Sequence, residues 1–505
     1  MLDLFVALPA VALLLCWVWR RIDFERRRKA FSRDHGCLPP VNASRFDPIL
    51  GIYHTFNIAR ASAKGRHLQN LHDNLFSKYG NSFSMLVMGQ PILLTNDPRN
   101  LQAILATQFG DFEIGTRRRD VMADLLGVGI FNADGDAWAH ARATIRPNLT
   151  RKQFTDVVLF EKHFQVWMNH MPVGQGKLLD VQEWVFRFTL DVGTELLCDK
   201  SADTLHPEGA AAGHRFGWAI DTACDVISVR MQLGKLWRLY GGRDNREACQ
   251  AVRDYIDPMV HEAVKRAKLA KQLGDGVVED DPRYTFLGAL ANEGLGAEEI
   301  SSHVLNMLFA ARASTASLIS SVIRLLAENT RVQTRLRHEI QDSLNGRLPT
   351  YEDVRNLTYL NYIIKETLRL YPPAPQSLRA AIKDTTLPVG GGPDGTAPVF
   401  IPKGGEVGFI IYSTHRRTDI WGDDADQFRP ERWETVKPLF QYLPFNAGPR
   451  ICPGQSLAQA EAGYVIARFL QEYSVLKPPN PPRPYREYLH ISLAAKGGVW
   501  VTVDR

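Results

Sequence analysis

The ten residues Phe445–Gly454 constrain the fold of this chain more than any other stretch. They follow the pattern FxxGxRxCxG and place one cysteine, Cys452, between two glycines. The alanine-rich residues 455–470 that come next have helical periodicity, so we predict that Cys452 lies at or just before a helix N-terminus. Backbone N–H groups and the helix dipole favour a thiolate over a thiol there. The glycines permit a tight turn and the close approach of a flat partner.

A thiolate held in such a loop is suited to be an axial ligand of haem iron. Phe445 offers an aromatic wall, and Arg450 offers a cation to a nearby anionic group. A lone cysteine is more often a buried structural residue, but all five fixed positions of the pattern are present here. The stretch resembles the haem loop of the cytochrome P450 superfamily. This resemblance implies a haem cofactor, iron protoporphyrin IX, whose metal is bound by Cys452.

A second motif agrees with this resemblance. Glu366 and Arg369 are three residues apart in a helical segment, where their side chains can touch. A later arginine, Arg432, lies in the run FRPERW. The set is similar to the ExxR helix and the later arginine of the superfamily, which implies a buried charge network of structural importance under the haem loop.

A third motif, WxxxR, places Trp138 and Arg142 on one face of a predicted helix. An indole N–H and a guanidinium both suit the recognition of carboxylates. In the family this helix meets the haem propionates, which implies cofactor contacts for these two residues. His140, Arg379 and Arg450 are further candidates for the same role.

The long helix predicted for Ala297–Glu328 departs from the family pattern. Ala313 stands where the family has an acid, Ser314 where it has a threonine, and Thr315 follows. The family acid and alcohol relay protons to iron-bound dioxygen, so Ser314 and Thr315 are the candidate catalytic residues. Three functions stay open: a monooxygenase, an enzyme of desaturation, rearrangement or ring formation, and a haem-binding protein without catalysis.

Shorter runs indicate a branch of the family. Residues 109–117, 125–131 and 415–422 resemble the fungal n-alkane and fatty-acid ω-hydroxylases. This resemblance implies a small apolar substrate, either a fatty-acid or alkane-like chain or an intermediate of specialised metabolism. Arg117–Arg119 could meet a fatty carboxylate, although a solvated basic turn is the commoner role of such a run.

Composition bears on the partners. Gly390–Gly395 is rich in glycine, but the residues after it are strand-like rather than helical, so we interpret it as a turn and not as a dinucleotide site. Electrons are therefore expected from a separate NADPH-dependent cytochrome P450 reductase.

The net charge of +5 gives no reason to expect nucleic acid as a partner. Six scattered cysteines argue against a disulfide framework and for a reducing compartment.

The N-terminus has the composition of a membrane anchor. Residues 4–19 are apolar without interruption and are followed by a basic cluster, which keeps the following chain in the cytosol. We predict a transmembrane signal anchor at residues 1–22, a basic, proline-ended linker at 23–40 and a haem-thiolate catalytic domain at 41–505. The expected location is the endoplasmic reticulum membrane, with a single pass and a cytosolic catalytic domain.

Periodicity predicts a mainly α fold with a small β portion in one domain. The resemblance implies that this is a single large cytochrome P450-type haem domain behind the anchor. A hairpin is predicted around Phe83–Met88 and Ile92–Thr95, and Asp97-Pro98 should start a helix. The other predicted helices are residues 160–171, 181–197, 219–240, 248–273, 297–328, 331–344 and 359–370.

Overall fold

The structure, a computed structural model, describes residues 2–47, 49–149, 157–172, 174, 176–208, 211–273 and 285–505. In this part of the chain the α-helices, labelled α1 to α19 in order, are Leu2–Asp34, Ile52–Ala63, His67–Asn70, Ser77–Tyr79, Pro98–Gln102, Thr116–Leu126, Gly135–Leu149, Val157–His170, Val181–Cys198, Ala211–Gln232, Gly242–Leu273, Phe286–Asn292, Ala297–Glu328, Thr330–Leu344, Tyr351–Asn356, Thr358–Leu370, Ile411–Thr414, Thr418–Trp421 and Gln455–Glu472.

The strands are short. Labelled β1 to β13, they are Val41–Asn42, Ser82–Val87, Gln90–Thr95, Phe112–Glu113, Leu178–Asp180, Ser377–Ala381, Thr385–Gly391, Ala397–Ile401, Glu406–Phe409, Val475–Lys477, Glu487–Leu489, Leu493–Ala495 and Trp500–Asp504. The main sheet has six strands in the order β1-β2-β3-β9-β6-β4, and the others form one three-stranded and two two-stranded sheets. The expected fold class, mainly α with a small β portion, is confirmed.

The predicted hairpin is confirmed, with a shorter turn. Strands β2 and β3 pair from Ser82 opposite Thr95 to Val87 opposite Gln90, which leaves Met88 and Gly89 as the turn. Both turn residues have positive φ, 51° and 73°, as the favoured two-residue hairpin turn requires.

Helix α13 is the central helix of the core, and it has the predicted bounds. It packs against α9, α16 and α19. Among the described residues it is the one helix long and apolar enough to cross a membrane, but 78% of its most apolar window is buried inside the fold. It is therefore a core helix, because those apolar side chains are already covered by protein.

The predicted helix 219–240 was wrong at its ends: α10 stops at Gln232, and Gly234–Leu239 form a 3-10 helix whose apolar pattern continues that of the α-helix.

The structure describes the backbone across both predicted boundaries of the N-terminal region. Helix α1 runs through the predicted boundary at residue 22 without a break. The end of the predicted linker is docked rather than free, since the Leu38 N–H donates to the Pro398 carbonyl at 2.9 Å and the Pro39 carbonyl accepts from Gly392 at 3.0 Å. Most side chains of the predicted anchor lie outside the described residues, and the three-part division stays a prediction.

A buried charge network is linked to the chain just before the cysteine loop, because Arg369 donates to the carbonyl of His415 and the Nε2 of His415 accepts from the N–H of Leu443. Glu366 and Arg369 of α16 are 0% exposed and joined by two hydrogen bonds of 2.8 and 2.9 Å. The Nε of Arg432 and the indole of Trp433 donate to the same carboxylate at 3.3 and 3.1 Å. The structure thus brings together the three charged residues that the sequence indicated.

Helix α19, which follows the cysteine loop, contains a buried acid. Glu461 is 4% exposed, and its Oε1 has no hydrogen-bond partner among the described residues. Burial raises the pKa of Glu461 from 4.5 to about 8. We expect Glu461→Gln to stabilise the protein by about 3 kcal/mol at pH 7 and to change little near pH 4.5.

The sign of the stability change expected for Glu461→Gln follows from the pKa of Glu461 in the unfolded chain and in the folded chain. The unfolded chain releases the Glu461 proton above pH 4.5, whereas the folded chain holds it up to about pH 8. The wild type therefore loses stability as the pH rises through this window, and the glutamine variant does not lose this contribution. Chemical unfolding midpoints from pH 5 to 8 measure the difference, and a gap that does not widen with pH would contradict the prediction.

Candidate active site

The loop around Cys452 is a tight turn closed by its own backbone. The Cys452 N–H donates to the carbonyl of Phe445 at 2.9 Å. Asn446 and Gly448 have positive φ, 64° and 66°. A Cβ on Gly448 would lie 1.8 Å from the carbonyl oxygen of Leu105, so this position requires glycine.

Cys452 lies just before α19, as predicted, with Gly454 as the residue preceding the helix. Burial raises the pKa of the Cys452 thiol, although the N–H of Gly454 and the charge of Arg142 lower it. The protein groups alone therefore do not hold a thiolate there, and the dipole argument from the sequence overestimated their effect. A cation bound at the sulfur would hold one, because metal coordination deprotonates a thiol.

A cluster of guanidinium groups lies beside this loop. Arg450 stacks on the ring of Trp138, 4.5 Å from its centroid, and donates to Asp134 at 2.7 Å. Burial, together with the charges of Arg118 and Arg450, lowers the pKa of Arg379 to about 9. Burial and the charge of Arg450 likewise lower the pKa of Arg118 to about 10.

This cation cluster, Arg118, Arg379 and Arg450, lacks a matching number of carboxylates. Asp134 is the carboxylate that acts on all three. Its oxygens also accept hydrogen bonds from the N–H groups of residues 114 and 115. The Nε of Arg118 is buried without a partner among the described residues. Buried cations and a buried free donor are unfavourable unless an anion meets them, so the cluster fits an anionic group such as a pair of carboxylates.

Arg142 connects helix α7 to the loop. Its Nη1 donates to the carbonyl of Ile451 at 3.1 Å, next to the cysteine. Its guanidinium lies 5.9 Å from the ring centroid of Trp138, which places the two residues on one face of α7 as the i, i+4 spacing predicts.

His140 is not part of this arrangement, and its prediction as a cofactor contact needs correction. It comes two residues after Trp138 and therefore lies on a different face of α7. Its ring is 60% exposed, and its Nε2 is 2.7 Å from Glu299 of α13.

Arg118 is the functional candidate that the sequence interpretation missed. Arg117–Arg119 form the first turn of α6 rather than a solvated turn. Arg117 pairs with Glu406 at 3.2 Å, and Arg119 stays 52% exposed. The sequence does hold a signal, because Arg118 shares its helical face with the buried Val121, Met122 and Leu125.

The central helix offers alcohols but no carboxylate at the expected place. The Ser314 hydroxyl donates to the Ala310 carbonyl at 2.6 Å, and Thr315 is buried. Ala313 lines a cleft of about 420 Å³ together with Arg312 and Asp221.

That cleft contains a carboxylate from another helix. Asp221 of α10 binds Arg312 through two hydrogen bonds of 2.5 and 2.9 Å. The side chain of Arg312 is only 6% exposed. Asp221 is one of four acidic residues that line this cleft, and its carboxylate is held by an arginine.

Comparison with known proteins decides the family. The sequence profile of the family described as Cytochrome P450 matches residues 46–500. The chain belongs to the cytochrome P450 family. The P450 monooxygenase himC of Aspergillus japonicus is 38% identical over 97% of this chain and 88% of its own length. Cytochrome P450 52E1 of Candida apicola is 34% identical over 98% of this chain and 97% of its own length.

A third relative, the P450 monooxygenase FPY7 of Fusarium mangiferae, is 35% identical over 96% of this chain. This P450 is accordingly an oxidoreductase with haem iron as its cofactor, and its similarity to fungal P450s agrees with the predicted branch. The described residues fit that cofactor: Cys452 would provide a sulfur ligand, and the cation cluster would provide counter-charges for two propionates.

Proposed function

We propose that this P450 is a monooxygenase that inserts one oxygen atom from O₂ into an apolar substrate. The substrate is a fatty-acid or alkane-like chain or an intermediate of specialised metabolism, and the electrons come from an NADPH-dependent reductase. The observation that carries the proposal is the placement of Cys452 in a closed loop next to a cation cluster with too few carboxylates.

Each site residue has a proposed role. Cys452 binds the iron, and Phe445 forms an aromatic wall of the loop. The propionates are bound by the residues of the WxxxR helix and the cation cluster, namely Trp138, Arg142, Arg118, Arg379 and Arg450. When bound, the haem activates dioxygen, and a thiolate ligand favours cleavage of the O–O bond.

Proton delivery is proposed to run through Ser314 and Thr315. The Ser314 hydroxyl donates a hydrogen bond to the Ala310 carbonyl in the resting arrangement, so its oxygen is free to accept a hydrogen bond from water. Phe309 is proposed to contribute to an apolar wall for the substrate; it is 8% exposed and in ring contact with Phe131 at 5.5 Å between centroids.

The function is tested with purified holoprotein, reductase, NADPH and ¹⁸O₂, using fatty acids, alkanes and polyketide- or terpene-type compounds as substrates. Mass spectrometry should show one labelled oxygen atom in the product. Turnover without label would favour desaturation, rearrangement or ring formation, the alternative for which Ala313 at the acid position is the specific observation. Absence of turnover with intact haem would contradict both.

Arg118→Gln is expected to weaken haem retention several-fold, because it removes a partly buried cation from the cluster around the proposed propionate site. The rate of haem transfer to apomyoglobin measures the effect. Arg119→Gln is the matched control, since the neighbouring Arg119 side chain is 52% exposed and pairs with Asp120. Equal rates for the two variants would contradict the role of Arg118.

Ala313→Asp is expected to raise the fraction of NADPH that ends in product, by about twofold or more, because it adds an ionisable group next to the proposed alcohol relay. Ala313→Asn has a similar volume without the charge and is the control. Product and peroxide per NADPH are the measurements. If the two variants match the wild type, position 313 does not take part in proton delivery.

The membrane location is also part of the proposal. Residues 1–22 are proposed as a single-pass anchor in the endoplasmic reticulum membrane, with the catalytic domain in the cytosol, on the basis of the apolar run and the basic cluster after it. Full-length protein should sediment with membranes after a high-salt wash. Equal sedimentation of a chain that lacks residues 1–22 would contradict the anchor.

A further inference from the structure

His303 is a buried histidine in α13 without hydrogen-bond partners. It is 2% exposed, and neither ring nitrogen has a partner among the described residues. Buried polar side-chain atoms are normally hydrogen-bonded, so an imidazole with two free nitrogens needs a physical reason. The haem site described above does not use this residue.

Two potential metal ligands surround His303. Glu299 lies one turn earlier on α13, and its carboxylate is 3.6 Å from the Nε2 of His303, which is too long for a hydrogen bond. His140 reaches the same carboxylate from α7 at 2.7 Å. One ligand atom from each of the three residues lies within 4.8 Å of the others.

We propose that His140, Glu299 and His303 bind a divalent transition-metal ion, for which Zn²⁺ is the probe. Two imidazoles and one carboxylate are a common ligand set for this class of metal, with a water molecule in the remaining position. Ligand atoms around a tetrahedral Zn²⁺ are about 3.3 Å apart, given metal–ligand distances of about 2.0 Å. The observed separations reach this geometry with a small movement of His140, whose side chain is 60% exposed.

The protonation state of His303 suits a ligand. Burial lowers the pKa of His303, although the Glu299 carboxylate raises it. A neutral imidazole has the lone pair that a metal requires. The exposed side of the cluster, at His140, gives the ion a path from solvent.

The site joins two helices of the haem pocket. α7 carries Trp138 and Arg142 on another face, and α13 carries Ser314 and Thr315 further along. A bound ion would fix α7 to α13, which is a structural role, and it would raise the stability of the folded protein by mass action.

The test is Zn²⁺ titration of untagged, full-length holoprotein by isothermal calorimetry, together with the thermal unfolding midpoint with and without Zn²⁺. We expect one saturable equivalent and a higher midpoint for the wild type. His140→Ala and Glu299→Gln should each weaken binding at least tenfold and remove the shift in midpoint. His261→Ala, at an exposed histidine of α11, is the control and should behave as the wild type.

Binding that His140→Ala leaves unchanged would overturn the proposal, because the ion would then sit elsewhere on the surface. Absence of saturable binding by the wild type would overturn it as well. His303→Gln is a further variant, but His140 and Glu299 are the decisive positions because neither is buried. The haem absorption spectrum of each variant shows whether a loss of Zn²⁺ binding merely reflects a damaged fold.

Discussion

Cys452→Ala is expected to abolish the thiolate-type absorption of the reduced carbon monoxide complex and to lower turnover to background. The alanine removes the only sulfur that the Phe445–Gly454 loop presents to a metal. The loop itself should still close, because its turn depends on backbone hydrogen bonds and on Gly448 rather than on the thiol. Absorption spectra and haem content of the purified variant are the measurements.

Two companion variants separate loss of the ligand from loss of the cofactor. Cys452→His offers an imidazole, which ligates haem iron in other proteins, so haem retention with an altered spectrum is the expected result. Cys198→Ala changes a buried free cysteine elsewhere and should keep the wild-type spectrum. A thiolate-type spectrum in Cys452→Ala would contradict the assignment of the ligand.

Features that depend on neighbours in sequence were predicted well. The helix after Cys452 and the paired Glu366 and Arg369 each involve residues within one or two helical turns of one another. Their geometry follows from local backbone rules, which a single sequence contains. The bounds of Ala297–Glu328 were found for the same reason, because its apolar periodicity runs without interruption.

Features that depend on distant partners were not predicted. Asp221 meets Arg312 across 91 residues, and nothing local to either residue indicates the pairing. His140 was named as a candidate cofactor contact, and nothing local to it indicates that Glu299 of a distant helix meets it. Arg118 was treated as part of a solvated run because periodicity had not identified the short helix α6. Long-range packing decides these contacts.

The position of Asp221 bears on how protons could be delivered when position 313 is an alanine. From the sequence, α13 lacks the acid of the family pattern at position 313. In the structure, a carboxylate from α10 shares the cleft with Ala313, but its two oxygens are bound to Arg312. Proton transfer through Asp221 would require this ion pair to open, whereas transfer through Ser314 would not. The Ala313→Asp variant therefore tests whether the site benefits from a carboxylate without such a partner.

Glu366→Ala is expected to destabilise the fold by about 3–5 kcal/mol, because it leaves the buried guanidinium groups of Arg369 and Arg432 without their carboxylate. The variant also leaves the N–H of Arg429 and the indole of Trp433 without their acceptor. Since this network is linked through His415 to Leu443, just before the cysteine loop, haem content should fall together with stability. Chemical unfolding and the haem-to-protein ratio are the measurements.

The chain contains its own control for this prediction. Glu352 and Arg355 repeat the ExxR spacing in α15, with the same i, i+3 geometry, but their side chains are 68% and 62% exposed. Glu352→Ala should cost less than about 0.5 kcal/mol, because water solvates the arginine that remains. The two variants delete the same side chain from the same motif, so the difference between their losses of stability measures the effect of burial. Equal losses of stability would show that the spacing alone, and not the buried network, determines the effect.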